Sequence, residues 1–260
     1  MKKSICIEKI FLELDFYERF QAVADAGFHY VEFWSWENKD LPRVKELCER
    51  YHLQVASISG DKDYSLILDE EREKYLYYFK RSLEVARTLS CHVLVLHSNA
   101  INEYGKISNA AVGISHSKKV ASMVKTLLTA VQYAEQYGIR LVLEALNTVT
   151  QPGCFLVSTE DSGDIARVVN SDYLKILYDV WHMEHMEENI SSTLKKYRDV
   201  LGYVHIADSN GRHEPGTGTI DFVEVNDTLL DIGYSGFLGF ELTPSGSSAD
   251  ACKVIASFCR

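Results

Sequence analysis

The chain has 260 residues, of which 46% are hydrophobic and 25% are charged, a composition typical of globular proteins. It carries 27 lysines and arginines against 37 aspartates and glutamates, which gives a formal charge of −10 at pH 7. The composition excludes a disordered chain, a collagen-like repeat and a low-complexity scaffold. The acidic balance opposes nucleic acid or an anionic membrane as the main partner.

The N-terminal segment starts like a signal peptide, but Glu8, Lys9 and Glu13 interrupt its apolar stretch. No window approaches the roughly 18 uninterrupted apolar residues that a membrane span needs. The six cysteines form no CxxC pair. We therefore predict a cytoplasmic protein with reduced thiols, rather than one with disulfides or a zinc knuckle.

Short apolar segments alternate along the chain with longer amphipathic ones. Several of the short segments are rich in Val, Ile, Leu and aromatic residues on both faces, as expected of strands buried between helices and a core. We predict eight strands, at 4–7, 30–33, 54–58, 92–97, 140–144, 174–179, 202–206 and 237–241.

The amphipathic segments begin and end at residues that favour helix termini. Asp15 precedes the first segment and Gly27 follows it, Pro42 lies in the first turn of the second, and Gly138 follows the fourth. We predict eight helices, at 15–26, 40–51, 69–89, 115–137, 159–170, 189–198, 221–232 and 249–258.

Eight strand–helix units follow one another with no Pro-, Gly- or Ser-rich linker, which matches a (β/α)8 TIM barrel. We predict an α/β fold of one domain over residues 1–260. A doubly wound open sheet is the competing architecture, but the glycine fingerprint that usually follows its first strand is missing. The longest segment without a predicted element, 98–114, would lie on the active face and is a candidate lid.

Potential metal ligands lie at the ends of four successive predicted strands. Strand five ends at Glu144, strand six at Asp179 and strand eight at Glu241, and strand seven carries His205 near its end. The carboxyl ends of barrel strands meet at one rim, where catalytic residues lie. Each residue alone could be a helix cap or part of a rim salt bridge, but four at corresponding positions are harder to explain in that way.

We therefore predict one divalent metal ion bound by Glu144, Asp179, His205 and Glu241. Three carboxylates packed together would repel one another unless a cation lay between them. This oxygen-rich set suits Mn²⁺, Mg²⁺ or Co²⁺ in octahedral geometry, and Zn²⁺ is also compatible. About two positions would remain on an octahedral ion, and the carbonyl oxygen and adjacent hydroxyl of a substrate would fill them.

The same region resembles the sugar phosphate isomerase/epimerase superfamily, whose fold is the xylose isomerase-like TIM barrel. The matching motifs are Glu144-Ala-Leu-Asn147, Asp179-Val-Trp-His182, the single His205, residues 212–218 (RHEPGTG) and Glu241. The resemblance is weak over nearly the whole chain and strong over 140–244. Within the superfamily, the chain is most similar to hydroxypyruvate isomerases and ketose 3-epimerases.

The resemblance implies an isomerase or epimerase of a small ketose, keto-polyol or hydroxy-keto acid. Glu144 and Glu241 would each bind the metal through one oxygen and exchange a proton through the other, on opposite sides of a metal-stabilised enediolate. His182 would hydrogen-bond a substrate oxygen, and Arg212 would place a positive charge near the enediolate or a substrate carboxylate. The structural alternatives are an ordinary loop histidine and a surface ion pair between Arg212 and Glu214.

Two aromatic side chains are further candidates for substrate contact. His97 ends strand four at the same rim, and Trp34 follows strand two, where it could stack on a sugar face or pack at the rim. Two features depart from the related families. Residues 148–150 are not acidic, although ketose 3-epimerases often carry an acid there, and His205 stands where hydroxypyruvate isomerases can carry an amide. The substrate therefore stays open, and the absence of a phosphate-binding motif favours an unphosphorylated one.

Three alternative functions remain. An inosose dehydratase-like lyase would use a similar proton abstraction. An apurinic-site endonuclease shares the barrel but needs more histidines, and Ser57 and Ser59 stand where that family places one of them. The net charge of −10 also opposes DNA binding. A non-catalytic sugar-binding protein would not need both glutamates. The expected partner is a small sugar-like molecule, without nucleic acid or membrane, and a homo-oligomer is compatible with the sequence.

Overall fold

The computed structural model describes residues 1–102, 105–186 and 189–258. Eight parallel strands pair in chain order, and the eighth pairs with the first to close a barrel. The predicted (β/α)8 TIM barrel is therefore confirmed. The strands are β1 (Lys2–Cys6), β2 (Tyr30–Glu32), β3 (Gln54–Ser59), β4 (Val93–Leu96), β5 (Arg140–Glu144), β6 (Leu174–Asp179), β7 (Leu201–His205) and β8 (Phe237–Phe240).

Helices surround the barrel, and one turn of 3₁₀ helix, Asp69–Glu71, precedes the third of them. The described residues contain nine α-helices rather than the predicted eight. They are α1 (Arg19–Asp25), α2 (Leu41–Tyr51), α3 (Arg72–Thr88), α4 (His116–Tyr137), α5 (Thr159–Val169), α6 (Val180–His185), α7 (Ile190–Lys196), α8 (Phe222–Asp231) and α9 (Ser248–Ser257).

Two predictions about local structure were wrong. Asp15 does not cap α1, which begins after Glu18, and the Glu18 side chain accepts no capping hydrogen bond. His182 was expected in the loop after strand six, but residues 180–185 form α6. The Asp179 side chain caps that helix by accepting a hydrogen bond from the His182 backbone N–H at 3.0 Å. Because one residue both ends the strand and caps the helix, no turn residues mark the boundary.

Side chains alternate along each strand between the barrel interior and the layer of helices. In β5, Leu141 and Leu143 are buried in the large core between barrel and helices. Val142 instead packs in the small cluster inside the barrel, with Tyr203 of β7 among its neighbours. The alternation continues to Glu144, so this carboxylate points inward at the carboxyl-end rim.

The segment between β4 and α4 contains the candidate lid, residues 98–114. Ile101 and Ile107 pair in an isolated antiparallel bridge, and the Asn99 side-chain amide donates to the Asn109 carbonyl at 2.9 Å. Residues 103 and 104 of the predicted lid lie outside the described residues. The segment borders the cavity at the rim, and its closure over a ligand stays a prediction.

Five cysteines are free thiols, as predicted, and Cys259 lies outside the described residues. Within the described ranges, no helix combines the length and apolar character that crossing a membrane would require. The predicted cytoplasmic location stays a prediction. The free thiols are Cys6, Cys48, Cys91, Cys154 and Cys252.

Gly163 tests the packing between helix α5 and the segment before β7. A Cβ atom at this position would lie 2.3 Å from Cδ1 of the buried Tyr197 ring. We expect Gly163→Ala to lower the free energy of unfolding by about 1–2 kcal/mol, because overpacking outweighs the helix preference of alanine. Denaturant unfolding measures this. Gly246→Ala is the control, since its Cβ would meet no atom within 4 Å, and an equal loss there would contradict the packing argument.

Candidate metal centre

The four predicted metal ligands meet at the carboxyl-end rim of the barrel. Ligand atoms of Glu144, Asp179, His205 and Glu241 all lie within 4.8 Å of one another, and all four residues are buried. The strand register explains the convergence. Asp179 pairs with His205 across β6 and β7, and His205 pairs with Gly239, two residues before Glu241. The fold therefore brings together the four residues that were predicted from the strand ends.

The imidazole of His205 lies in the middle of this cluster. Its Nδ1 atom is 3.2 Å from Glu241 Oε2, 3.4 Å from Glu144 Oε1 and 3.7 Å from Asp179 Oδ2. Among the described residues, neither His205 Nδ1 nor Glu144 Oε1 has a hydrogen-bond partner. Buried polar atoms without partners are costly. A nitrogen and oxygens that converge on one small space are a donor set that fits a divalent cation.

Opposite charges keep the buried acids of the cluster ionised. Burial raises the pKa of Glu144, but the neighbouring His205 and His97 outweigh it and lower this pKa to about 2. For His205 the balance has the opposite sign. Burial lowers its pKa, but the Glu32 charge and the surrounding carboxylates raise it well above the ordinary value. The structure therefore holds ionised carboxylates around a protonated imidazole.

Arg212 supplies a second cation to the cluster. Its Nη2 atom lies 2.8 Å from Asp179 Oδ2 and also contacts Glu241 Oε2. Burial raises the pKa of Asp179, but the Arg212 charge is the largest of the effects that together lower it. The alternative surface ion pair between Arg212 and Glu214 is wrong, because Glu214 instead accepts a hydrogen bond from the Ser245 backbone N–H at 3.0 Å. Arg212 therefore belongs to the site.

His182 lies in the first turn of α6 and is held in one tautomer. The Asn147 backbone N–H donates to its Nδ1 at 2.9 Å, so Nδ1 is an acceptor and the proton of the neutral ring lies on Nε2. Burial lowers the pKa of His182 and favours this neutral form. Nε2 is 3.9 Å from Asp179 Oδ2, and the side chain lines the cavity. His182 therefore offers a neutral N–H donor beside the cluster.

Each glutamate of the cluster has its second oxygen bound to a side chain that lines the cavity. Glu144 Oε2 is 3.1 Å from His97 Nε2, and Glu241 Oε1 accepts a hydrogen bond from Trp34 Nε1 at 2.8 Å. His97 and Trp34 were predicted as substrate contacts, and their positions add a role in holding the glutamates. Trp34 is 41% exposed, so its ring is also available to a ligand.

The sequence patterns did not single out two buried acids that surround the cluster. Asp61, which follows β3, accepts a hydrogen bond from the His97 backbone N–H at 2.6 Å and lies 3.0 Å from His97 Nδ1. Glu32, at the end of β2, lies 3.2 Å from His205 Nε2. Glu32 could have been noticed because it is the only charged residue in the apolar strand segment YVEF. Nothing in the sequence around Asp61 distinguishes it from an ordinary loop residue.

A cavity of about 850 Å³ opens over the cluster. Glu144, His205 and Glu241 line it on the metal side, while Lys9 and Trp34 belong to the loops that follow β1 and β2. Its volume lies within the range of small-molecule sites, roughly 300–1,000 Å³. The cavity therefore suits a small-molecule ligand next to the candidate metal centre.

Known proteins share this architecture. The sequence model of the xylose isomerase-like TIM barrel family matches residues 20–258. The 2-oxo-tetronate isomerase of Haemophilus influenzae is 28% identical over 250 residues, which cover 92% of each chain. The hydroxypyruvate isomerase of Escherichia coli is 27% identical over 252 residues, which cover 94% of each chain. The crystal structure of an AP endonuclease, family 2, from Brucella melitensis has a TM-score of 0.89 at 21% identity, covers 99% of this chain and 98% of its own, and shows the fold alone.

Manganese is expected to stabilise the folded protein through this cluster. A ligand that binds only the folded state stabilises it by about 2.7 kcal/mol at 100 times its Kd, so Mn²⁺ should raise the Tm of the EDTA-treated protein. Asp179→Asn should reduce this shift, because it removes a charged ligand. Calorimetry with Mn²⁺, Mg²⁺, Co²⁺ and Zn²⁺ measures the effect. Glu46→Gln, at an exposed residue of α2, is the control, and a full shift in Asp179→Asn would place the metal elsewhere.

Proposed function

The chain belongs to the xylose isomerase-like TIM barrel family, and we propose that it is a metal-dependent isomerase or epimerase of a small ketose, keto-polyol or hydroxy-keto acid. One observation carries the proposal. Two glutamates share one buried ligand cluster, and each keeps its second oxygen on a side chain that lines the cavity. A divalent cation in the cluster would polarise the substrate carbonyl and stabilise the negative charge that develops on its oxygen. We also propose that residues 1–260 act as one domain.

Glu144 and Glu241 are the proposed acid–base pair. Glu144 is the last residue of β5 and Glu241 directly follows β8. In the proposed mechanism they act on a bound substrate from opposite sides. One glutamate removes the proton from the carbon beside the carbonyl, and one returns it. Return to the opposite face of the same carbon inverts that centre, whereas return to the neighbouring carbon moves the carbonyl. The neighbouring His205 and His97 lower the pKa of Glu144 and keep its carboxylate ionised, which is the form that a base requires.

His182 and Arg212 are the proposed contacts to the substrate oxygens. The Nε2–H of neutral His182 can donate a hydrogen bond to an oxygen whose negative charge grows during proton removal. Arg212 adds a fixed positive charge at the same place, since its guanidinium lies between Asp179 and Glu241. Both groups would therefore favour the enediolate over the starting ketone.

Lys9 supports the hydroxy-keto acid as the substrate. Several cations line the cavity, but the others have partners: Lys39 pairs with Glu8, Lys62 with Glu37, Lys106 with a backbone carbonyl and Arg212 with the cluster. The Lys9 ammonium lies 5.5 Å from the centre of the Trp34 ring, and no carboxylate pairs with it among the described residues. This ammonium is free to bind the carboxylate of a ligand. The two bacterial isomerase relatives are named for carboxylate substrates, 2-oxo-tetronate and hydroxypyruvate.

The alternative functions receive less support. A non-catalytic sugar-binding protein would have no need for two glutamates that each direct one oxygen into the ligand cluster and the other to a side chain lining the cavity. The ligand cluster contains one histidine, fewer than the endonuclease alternative requires. A dehydratase would begin with the same proton removal, and its dehydrated product would distinguish it from an isomerase.

Glu144→Gln and Glu241→Gln test the two-glutamate mechanism. Each variant should lower kcat by about 10²–10⁴, because glutamine cannot act as a base. Incorporation of deuterium from D₂O into hydroxypyruvate and into ketoses, followed by NMR, measures proton removal directly. Metal content is determined on the same samples, which separates loss of a base from loss of the metal. Full exchange in both metal-loaded variants would refute the mechanism.

Lys9→Met tests recognition of the substrate carboxylate. A hydrogen bond between charged groups contributes about 1.5–3 kcal/mol, so KM for hydroxypyruvate should rise about tenfold or more with little change in kcat. KM for a neutral ketose of similar length should not change. Lys253→Met, on the exposed face of α9, is the control. An equal rise in KM for the neutral ketose would show that Lys9 does not bind a carboxylate.

A further inference from the structure

We propose that Glu32 is a positioning residue that orients His205 and fixes its tautomer for metal binding. The inference rests on the metal site of the proposed function. Glu32 is not one of the four clustered ligands; it lies on β2, and three β-strand pairings separate it from His205 on β7. Its side chain therefore has to reach across the inside of the barrel.

The two nitrogens of the His205 ring face different groups. Nδ1 faces Glu144, Asp179 and Glu241, at 3.2–3.7 Å. Nε2, on the other edge of the ring, lies 3.2 Å from Glu32 Oε1. This is a charge contact rather than a hydrogen bond, because neither atom has a hydrogen-bond partner among the described residues. A histidine can bind a metal through Nδ1 only if its proton lies on Nε2. A carboxylate beside Nε2 favours that tautomer and makes Nδ1 a stronger ligand.

Glu32 is itself held in place. Its Oε2 accepts a hydrogen bond from the Tyr203 hydroxyl at 2.5 Å, and the side chains of both residues are buried. The Tyr203 ring packs against the His205 ring at 5.5 Å between centres, with the ring planes at 86°. Tyr203 therefore fixes the carboxylate and also limits the rotation of the imidazole.

Gly239 of β8 provides the space for this contact. A Cβ atom at this position would lie 2.5 Å from Glu32 Oε2 and 2.7 Å from His205 Cδ2. Any side chain here would separate the carboxylate from the imidazole. The close approach of Glu32 and His205 therefore depends on this glycine. Its strand, β8, lies between β1 and β7, and Glu241 directly follows it.

Metal affinity distinguishes positioning from simple packing. Glu32→Gln keeps an acceptor oxygen but loses the charge, and Glu32→Met loses both. We expect the Kd for Mn²⁺, measured by calorimetric titration of the EDTA-treated protein, to rise about 10-fold for the first and up to about 100-fold for the second. The visible absorption spectrum of bound Co²⁺ should also change, because the imidazole is a direct ligand.

Glu214→Gln is the matched control, since Glu214 is a buried glutamate that hydrogen-bonds Ser245. It should bind Mn²⁺ and Co²⁺ as the unmodified protein does. Wild-type affinity and an unchanged Co²⁺ spectrum in both Glu32 variants would overturn the inference, even if their Tm fell, and would leave the metal site intact. Absence of Mn²⁺ binding by the unmodified protein would overturn the metal site and the inference together.

Discussion

The site depends on one electrostatic constraint: several buried carboxylates share a small volume with little water to screen them. Burial alone would push Glu144, Asp179 and Glu241 toward their neutral forms. The positive charges around them reverse this tendency, so the pKa of each acid is lowered instead. His205 acts on all three acids, together with His97 at Glu144 and with Arg212 at Asp179 and Glu241. A site that already balances buried anions with positive charge is suited to a divalent cation, which can replace the proton of the imidazole.

The barrel imposes this crowding through its geometry. Inward-facing positions recur at every second residue, so each strand can direct only its last inward side chain at the rim. The parallel register brings Asp179 level with His205, and His205 level with Gly239. One layer below, Tyr203 fills the barrel interior beneath the imidazole. Three of the four proposed ligands are thus the last residues of rigid strands, and Glu241 directly follows the fourth strand. This placement suits a centre that must keep a fixed geometry.

Much of this arrangement could be predicted from the sequence, because an apolar segment that ends in an acidic residue can be recognised without a structure. The predicted bounds 140–144 and 174–179 match β5 and β6, and Glu144 and Asp179 are their last residues. Partnerships between strands were not predictable. Glu32 looks like an ordinary polar residue of a short strand until the closed barrel places it beside His205. Helix α6 was missed for a local reason, since the capping aspartate is also the last residue of the strand.

The rim divides into two functional halves. The four clustered ligands come from β5 to β8, whereas the lysines that line the cavity follow the first four strands: Lys9, Lys39, Lys62 and Lys106. Trp34 connects the halves, because its indole N–H binds Glu241 and its ring faces the Lys9 ammonium. A ligand carboxylate drawn to Lys9 would therefore lie beside the indole that holds one of the proposed bases. Under the proposed function, substrate preference could then change in the first half of the barrel while the proposed proton transfer stays in the second.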